Sequence, residues 1–315
     1  MEERKTLREL VAEKQIFAPC VWDVFSANAA ENAGFEATLL SGGALAEWVC
    51  GMPDIGLVTA DDLVRQTEYI CSVSPLPCCV DADDGYGETP LHAYRTVERL
   101  VKAGAMSLTL DDTTGFRGYN RWGGKFRGGA ADGTIIHPTV SREEWLSKIK
   151  ASLEATSGTD CMVIARTECK LQDGLDEAIE RCLLARELGA EMTLIIGLIN
   201  KDEAIKVSEN DPGWKMWPDV GSINGVPDVN LDDIDQMGFN FVTCHILEKG
   251  AMYGMIDIGY HCLKDRSMAY HDTHTMGLEP DQIGVGLLGT YDKTAIRHPS
   301  RWMEMEPRFH EGLPK

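Results

Sequence analysis

Short apolar runs alternate with amphipathic segments along most of this chain. Runs of small and β-branched apolar residues, bounded by polar or glycine-containing turns, predict strands over Ala18–Val24, Ala37–Ser41, Leu76–Asp81, Ser107–Leu110, Cys161–Arg166, Met192–Ile196, Lys215–Pro218 and Phe239–Cys244. Between them, apolar positions recurring every three or four residues predict helices near Ser26–Ala33, Ala60–Ser72, Leu91–Ala103, Ser141–Ala155, Leu175–Leu188, Lys201–Glu209, Leu231–Met237 and His245–Gly259. Four of these helix ends run into glycine, at Ala33-Gly34, Ala103-Gly104, Leu188-Gly189 and Met237-Gly238, where a left-handed cap closes a helix. Repetition of this strand–helix unit predicts an α/β fold closed as a (β/α)8 TIM barrel rather than an open doubly wound sheet. Such barrels gather their chemistry at the C-terminal ends of the strands. Ser41, Asp81, Asp111 and Arg166 fall at that rim.

Two stretches break the repeat. Residues 113–138 form a long glycine- and arginine-rich loop carrying Phe116, Tyr119, Trp122 and Phe126, the kind of connection that serves as a lid. Residues 1–263 are assigned to the barrel. Residues 264–315 form a C-terminal extension that resumes helix only near Arg301–Gly312 and is expected to pack on the barrel or on a neighbouring subunit.

Charge and composition narrow the partners. The 315-residue chain carries a formal net charge of −20, which disfavours a nucleic-acid backbone or an anionic membrane surface. No apolar stretch reaches the length of a membrane span, and Met1-Glu2-Glu3-Arg4-Lys5 does not open a signal peptide. The ten cysteines include no CxxC pair, so they read as reduced cytoplasmic thiols, and no zinc or iron–sulfur site is expected. His271-Asp272-Thr273-His274, with His261 upstream, reads as a polar loop without a helix to converge the two imidazoles.

The strongest chemical signal is Asp81-Ala82-Asp83-Asp84-Gly85-Tyr86-Gly87, at the end of the third predicted strand. Carboxylates at the end of a buried strand are costly unless something neutralises them. A hard cation such as Mg2+, held by one or two carboxylates plus waters and substrate oxygens, is the usual partner. Taken alone, the heptapeptide equally suits a solvated acidic turn.

The set of motifs decides between these. Ser41-Gly42-Gly43, Gly51-Met52-Pro53-Asp54-Ile55-Gly56, the heptapeptide, and Ile164-Ala165-Arg166-Thr167-Glu168 together resemble the isocitrate lyase/phosphoenolpyruvate mutase superfamily in order and spacing over roughly residues 16–260. The resemblance implies a Mg2+-dependent barrel (Mn2+ as the alternative ion), tetrameric, exchanging a C-terminal helix between subunits. It further implies enolate chemistry on small anionic substrates, dicarboxylates or phosphonates. Asp81 then matches the direct metal ligand, while Asp54, Asp83 and Asp111 match carboxylates holding metal-bound waters. Asp111 stands where the family usually has glutamate. Ser41, Gly42 and Gly43 match the loop gripping the substrate carboxylate, and Arg166 the arginine contacting that carboxylate or the enolate oxygen.

Other positions depart from the family pattern. The Lys-(Lys/Arg)-Cys-Gly-His segment of the family's lyases is missing. If Gly123-Gly124-Lys125 is matched to the family's Gly-Gly-Lys, Tyr119 falls at the cysteine position and Arg121 at the histidine, with Asn120 between. The glutamate expected on strand six reads Ile196, and an Asn-x-Thr-Glu run after strand seven is replaced by Asp219-Val220-Gly221-Ser222. The resulting expectation is a lyase acting on a C–C bond of a 2-hydroxy or 2-oxo dicarboxylate. Arg166, Tyr119 and Asn120 would be catalytic, and Arg121 would bind substrate. Alternatives are phosphonopyruvate mutase or hydrolase chemistry, an oxaloacetate-type decarboxylase, and a non-catalytic metabolite-binding barrel.

Overall fold

Eight parallel strands close into a barrel, as the alternating pattern predicts. The computed structural model describes residues 5–114, 138–223, 226–227, 229–274 and 305–311. The strands are β1 (Ile16–Val21), β2 (Thr38–Leu40), β3 (Cys78–Asp81), β4 (Ser107–Leu110), β5 (Met162–Thr167), β6 (Met192–Ile195), β7 (Trp214–Trp217) and β8 (Phe239–Cys244). Each pairs with its neighbour in sequence, and β8 closes on β1 in the register Ile16↔Phe241 to Pro19↔Cys244. The main helices are α1 (Leu7–Glu13), α2 (Val24–Asn32), α3 (Ala60–Val73), α4 (Pro90–Ala103), α5 (Arg142–Thr156), α6 (Leu175–Leu188), α7 (Lys201–Asn210), α8 (Leu231–Asp235), α9 (Leu247–Asp265) and α10 (Ala269–His274). The four glycines expected to close helices all take positive φ: Gly34 (89°), Gly104 (104°), Gly189 (113°) and Gly238 (79°).

Strand parity sorts the core and thereby the rim. Cys20, Leu39, Cys79, Met162, Ile164, Met192, Leu194, Met216 and Phe241 form one buried cluster filling the barrel. Leu7, Leu10 and Val11 of α1 belong to it, so this helix stoppers the N-terminal end. The alternate residues, among them Cys78, Val80, Leu108, Leu110, Val163 and Ala165, belong to a second cluster with the helical layer outside. Continuing the inward parity by two residues past each strand centre gives Ser41, Asp81, Asp111, Arg166 and Thr243. The same alternation that packs the barrel therefore aims these polar groups at its open mouth.

Three boundaries differ from expectation, each for a local reason. β1 ends at Val21, not Val24, because Asp23 caps α2 by accepting the Ser26 N–H at 2.7 Å. α9 starts at Leu247 and runs to Asp265, which leaves His245 in the turn after β8 rather than on the helix. α10 lies where no helix was expected before Arg301, so His271 and His274 do sit on a helix. It is folded back by Tyr270, whose ring stacks on His261 at 3.9 Å and on His274 at 3.6 Å while its hydroxyl donates to Asp257. The imidazoles are occupied by this stack rather than converging on a common point.

Helices α5 and α6 are joined by Glu177, which accepts from Arg142 Nε at 2.8 Å and Arg181 Nε at 3.0 Å. The Arg142 hydrogen bond, opposed by burial and reinforced by Arg181, holds the Glu177 carboxyl down at about 2. An unfolded glutamate titrates near ~4.3. The pair therefore stabilises the fold fully above that value, and its contribution disappears as pH falls towards 2. Glu177→Gln is expected to cost about 1–2 kcal/mol at pH 7. Urea unfolding should show the gap to the parent protein shrinking at pH 3.

Candidate active site

The open mouth of the barrel is a cavity of about 410 Å³. Ser41, Gly43, Asp54, Asp81 and Arg166 line one part of its wall; Asp219, His245 and Glu248 line another. Leu39, Leu194, Ile196 and Met216 form an apolar floor. A volume of this order holds a small organic acid.

Asp81 is the centre of the acidic wall. Its Oδ1 accepts from Arg166 Nη1 at 2.9 Å, Thr109 Oγ1 at 3.0 Å and the Asp83 amide at 3.4 Å. These three bonds fix the carboxylate and leave Oδ2 outside the set, turned towards the Ser41–Gly43 turn. A Cβ on Gly42 would stand 3.7 Å from Asp81 Oδ2 and 3.5 Å from Asp83 Oδ1, and one on Gly43 would stand 3.1 Å from Asp54 Oδ2. Only at Gly43 is the approach close enough for a side chain to crowd a carboxylate, that of Asp54; at Gly42 a Cβ would make ordinary contacts. Ser41 caps the turn through its hydroxyl, accepting the Ala44 N–H at 3.2 Å.

The backbone after β3 is locally strained. Asp83 (φ 50°) and Tyr86 (φ 58°) both take left-handed conformations unusual for such residues. That conformation carries the Asp83 carbonyl to the Asp111 N–H at 2.7 Å, tying the third and fourth strand ends together. Asp111 is fully buried and accepts from Thr113 N and Oγ1 at 2.9 and 2.7 Å.

Arg166 is the one cation of this wall among the described residues. It spans Asp81 and Glu168, and its Nε lies 4.0 Å from Asp111 Oδ2. Glu168 is in turn set by Asp112, whose Oδ1 accepts the Glu168 amide at 2.8 Å. Asp112 Oδ2 accepts from Thr167 Oγ1 at 2.5 Å and from Arg181 Nη1 at 2.9 Å. Burial pushes the Asp112 carboxyl up to about 6 in spite of these donors.

Asp81, Glu168 and Asp111 share one guanidinium, with Asp54 and Asp83 at the glycine turn, and this excess of negative charge suits a divalent cation. Asp54, Asp81, Asp83 and Asp111 offer only oxygen, the donor chemistry of Mg2+ or Mn2+. Among the described residues no three of them bring oxygens within 4.8 Å of one another. Mg2+ usually takes only one or two carboxylates directly and completes its shell with water, so a donor set of this kind does not need three converging carboxylates.

Tyr119, Asn120 and Arg121 lie outside the described residues, as do Arg117, Lys125 and Arg127. Sequence reasoning gave no role to Glu168, Asp112, Cys20, His245 or Glu248. A histidine directly after the last strand, Cys244-His245, was the available signal, because every strand end of such a barrel faces the cavity.

Over residues 7–256 the sequence matches the phosphoenolpyruvate phosphomutase family. The chain belongs to this family. Its resemblance to the isocitrate lyase/phosphoenolpyruvate mutase superfamily, first read from the motifs, is thereby borne out. Within the family it is 38% identical to 2-methylisocitrate lyase of Escherichia coli (strain K12), over 52% of this chain and 51% of that enzyme, so the match spans about half of each. It is 33% identical to oxaloacetate decarboxylase of Rhodopseudomonas palustris (strain ATCC BAA-98 / CGA009), over 66% of this chain and 67% of that one. Phosphonopyruvate hydrolase in complex with oxalate and Mg2+ has the same fold, with a TM-score of 0.74 at 20% identity over 96% of both chains. No helix among the described residues is long and apolar enough to cross a membrane.

Proposed function

We propose that this family member is a Mg2+-dependent lyase that cleaves or forms a C–C bond in a 2-hydroxy or 2-oxo dicarboxylate through an enolate. The observation that carries this reading is Asp81. It is pinned through Oδ1 by Arg166, Thr109 and the Asp83 amide, with Oδ2 turned to the glycine turn that would seat a substrate carboxylate. Mg2+, when bound, supplies Lewis-acid stabilisation of negative charge on a substrate oxygen. Asp81 would hold the ion directly, and Asp54, Asp83 and Asp111 would reach it through water. Ser41 and the Gly42–Gly43 backbone grip the substrate carboxylate. Arg166 exchanges part of its hold on Asp81 for the developing oxyanion, which is favourable in a water-poor cavity. Ile196 and Leu194 keep the floor dry. Tyr119 or Asn120 would supply the proton transfer and Arg121 would bind substrate, roles expected from the sequence for residues outside those described.

The 33% identity to an oxaloacetate decarboxylase favours decarboxylation of an oxaloacetate-type acid as a second reading. Both readings share the metal and the enolate and differ in the fragment that leaves. The exposed apolar residues Tyr253, Ile256, Tyr260 and Leu263 of α9 support an oligomer, a tetramer in our reading, with the 264–315 extension packed on the 1–263 barrel or on a neighbouring subunit. Ten free cysteines support a cytoplasmic location.

Calorimetric titration with oxalate, a mimic of the enolate, is expected to show binding with Mg2+ or Mn2+ and none after chelation. Metal-independent binding, or none under either condition, would overturn the assignment. A screen of dicarboxylates and phosphonates with product detection by NMR then identifies the bond broken.

A further inference from the structure

On another part of the cavity wall, three donors of different chemistry meet. Cys20 comes from β1, Asp219 follows β7, and His245 follows β8. His245 Nε2 lies 3.5 Å from Cys20 Sγ and 3.1 Å from Asp219 Oδ2, and all three donor atoms fall within 4.8 Å of one another. We propose that Cys20 Sγ, Asp219 Oδ2 and His245 Nε2 form a second metal site, specific for Zn2+ or a cation of similar softness, with its fourth vertex directed into the cavity.

Four observations support it. First, the spacing is close to what a metal needs: metal–ligand lengths of about 2.0–2.3 Å at tetrahedral angles place neighbouring donors about 3.3–3.6 Å apart, so a small outward shift of Asp219 from 3.1 Å admits the ion. Second, each polar ligand is braced from behind. His245 Nδ1 meets the buried Glu248 carboxylate at 2.7 Å, and Asp219 Oδ1 accepts from Thr243 Oγ1 at 3.1 Å. A carboxylate on the far nitrogen is how metal-bound imidazoles are held and made more basic. Third, Glu248 Oε2 is buried without a hydrogen-bond partner among the described residues, so this corner carries negative charge awaiting a cation. Fourth, Asp219 and His245 line the cavity while Cys20 is fully buried behind them, which directs the remaining vertex at a bound substrate.

The donor set differs from the acidic wall in the way that separates metals. Oxygen alone selects Mg2+; sulfur and imidazole nitrogen select Zn2+ and its neighbours. Without the metal, a proton on Nε2 links the same atoms. Burial lowers the affinity of His245 for that proton, but the bonds to Asp219, Cys20 and Glu248 outweigh burial and hold it well above the usual histidine range. Burial likewise pushes the Cys20 thiol up to about 12, with His245 opposing. Metal uptake therefore displaces protons from both groups. Sequence spacing argued against zinc because the ligands are far apart in the chain, 20, 219 and 245, and only barrel closure joins β8 to β1. The site stands without the proposed reaction. Its role, gripping the distal carboxylate of a dicarboxylate, rests on that reading.

The test is metal retention. Chelator-stripped protein is loaded with Zn2+ in excess Mg2+, desalted, and analysed by elemental mass spectrometry. Co2+-loaded samples are examined by absorption. About one Zn2+ per chain is expected in the parent and in Asp81→Ala, with the Co2+ form showing tetrahedral bands and a thiolate charge-transfer band. Cys20→Ser should lose the thiolate band and His245→Ala the bound metal. Glu248→Gln, which keeps all three ligands, should weaken Zn2+ affinity by about 10–100-fold. Circular dichroism confirms that each variant is folded, and oxalate binding with Mg2+ confirms that the acidic wall is intact in Cys20→Ser, His245→Ala and Glu248→Gln. No retained Zn2+ in the parent, equal retention in His245→Ala, or a Co2+ spectrum lacking the thiolate band would overturn the site. Zn2+ retained while Mg2+ and oxalate fail to bind would overturn the reaction and leave the site standing.

Discussion

Asp81→Ala is expected to lower turnover by about 10³-fold or more while leaving the fold intact. The loss is large because, in the proposed reading, the side chain would do two things at once: Oδ2 would hold the metal directly, while Oδ1 accepts from Arg166 at 2.9 Å and so orients the guanidinium. Removing a single preorganised group of this kind typically costs about 10²–10³ in rate, and loss of the Lewis acid adds several kcal/mol more. Stability should move the other way or not at all. Asp81 sits beside Asp83, so its removal relieves like-charge repulsion, and Arg166 keeps Glu168. Activity with each metal and a thermal melt on the same sample make the comparison. Turnover unchanged in Asp81→Ala, or surviving exhaustive chelation, would remove the metal mechanism.

The barrel was legible because its pattern is redundant: every unit repeats the same apolar strand and amphipathic helix, and misplacing one end by two residues changes little. The acidic wall was legible because its residues are contiguous or sit at strand ends, where parity alone aims them inward. Asp81 follows Cys79, and Arg166 follows Ile164, on the lumen-facing side.

The second wall was not legible for a geometric reason. Asp219 and His245 were visible as letters, but β8 meets β1 only on barrel closure, and no local spacing encodes that contact. Where helix α9 began also mattered. With His245 placed on the helix, its ring direction was undefined; with the helix starting at Leu247, it belongs to the rim. The helix at Ala269–His274 was missed because its stability comes from Tyr270 stacking between two histidines, not from its own periodicity.

Asp112 joins the fold to the site, and the second large effect is expected there. It is fully buried and holds Arg181, the Thr167 hydroxyl and the Glu168 amide. Asp112→Ala leaves Arg181 buried with only Glu177 and the Val140 carbonyl as partners. Breaking a buried pair from one side costs about 3–5 kcal/mol, and the remaining Glu177 contact places this case near the lower end. Removing the charge as well, in Asp112→Ala/Arg181→Met, should restore most of that stability, since apolar replacements of buried pairs are often neutral. Turnover should behave differently. Glu168 braces Arg166, and releasing its backbone displaces the guanidinium by a fraction of an ångström to an ångström, a misplacement worth up to about 10²-fold. The double variant is therefore expected to regain its denaturation midpoint and keep the kcat defect. If kcat returns together with stability, Asp112 only holds the barrel closed, and the positioning of Arg166 must come from Asp81 alone.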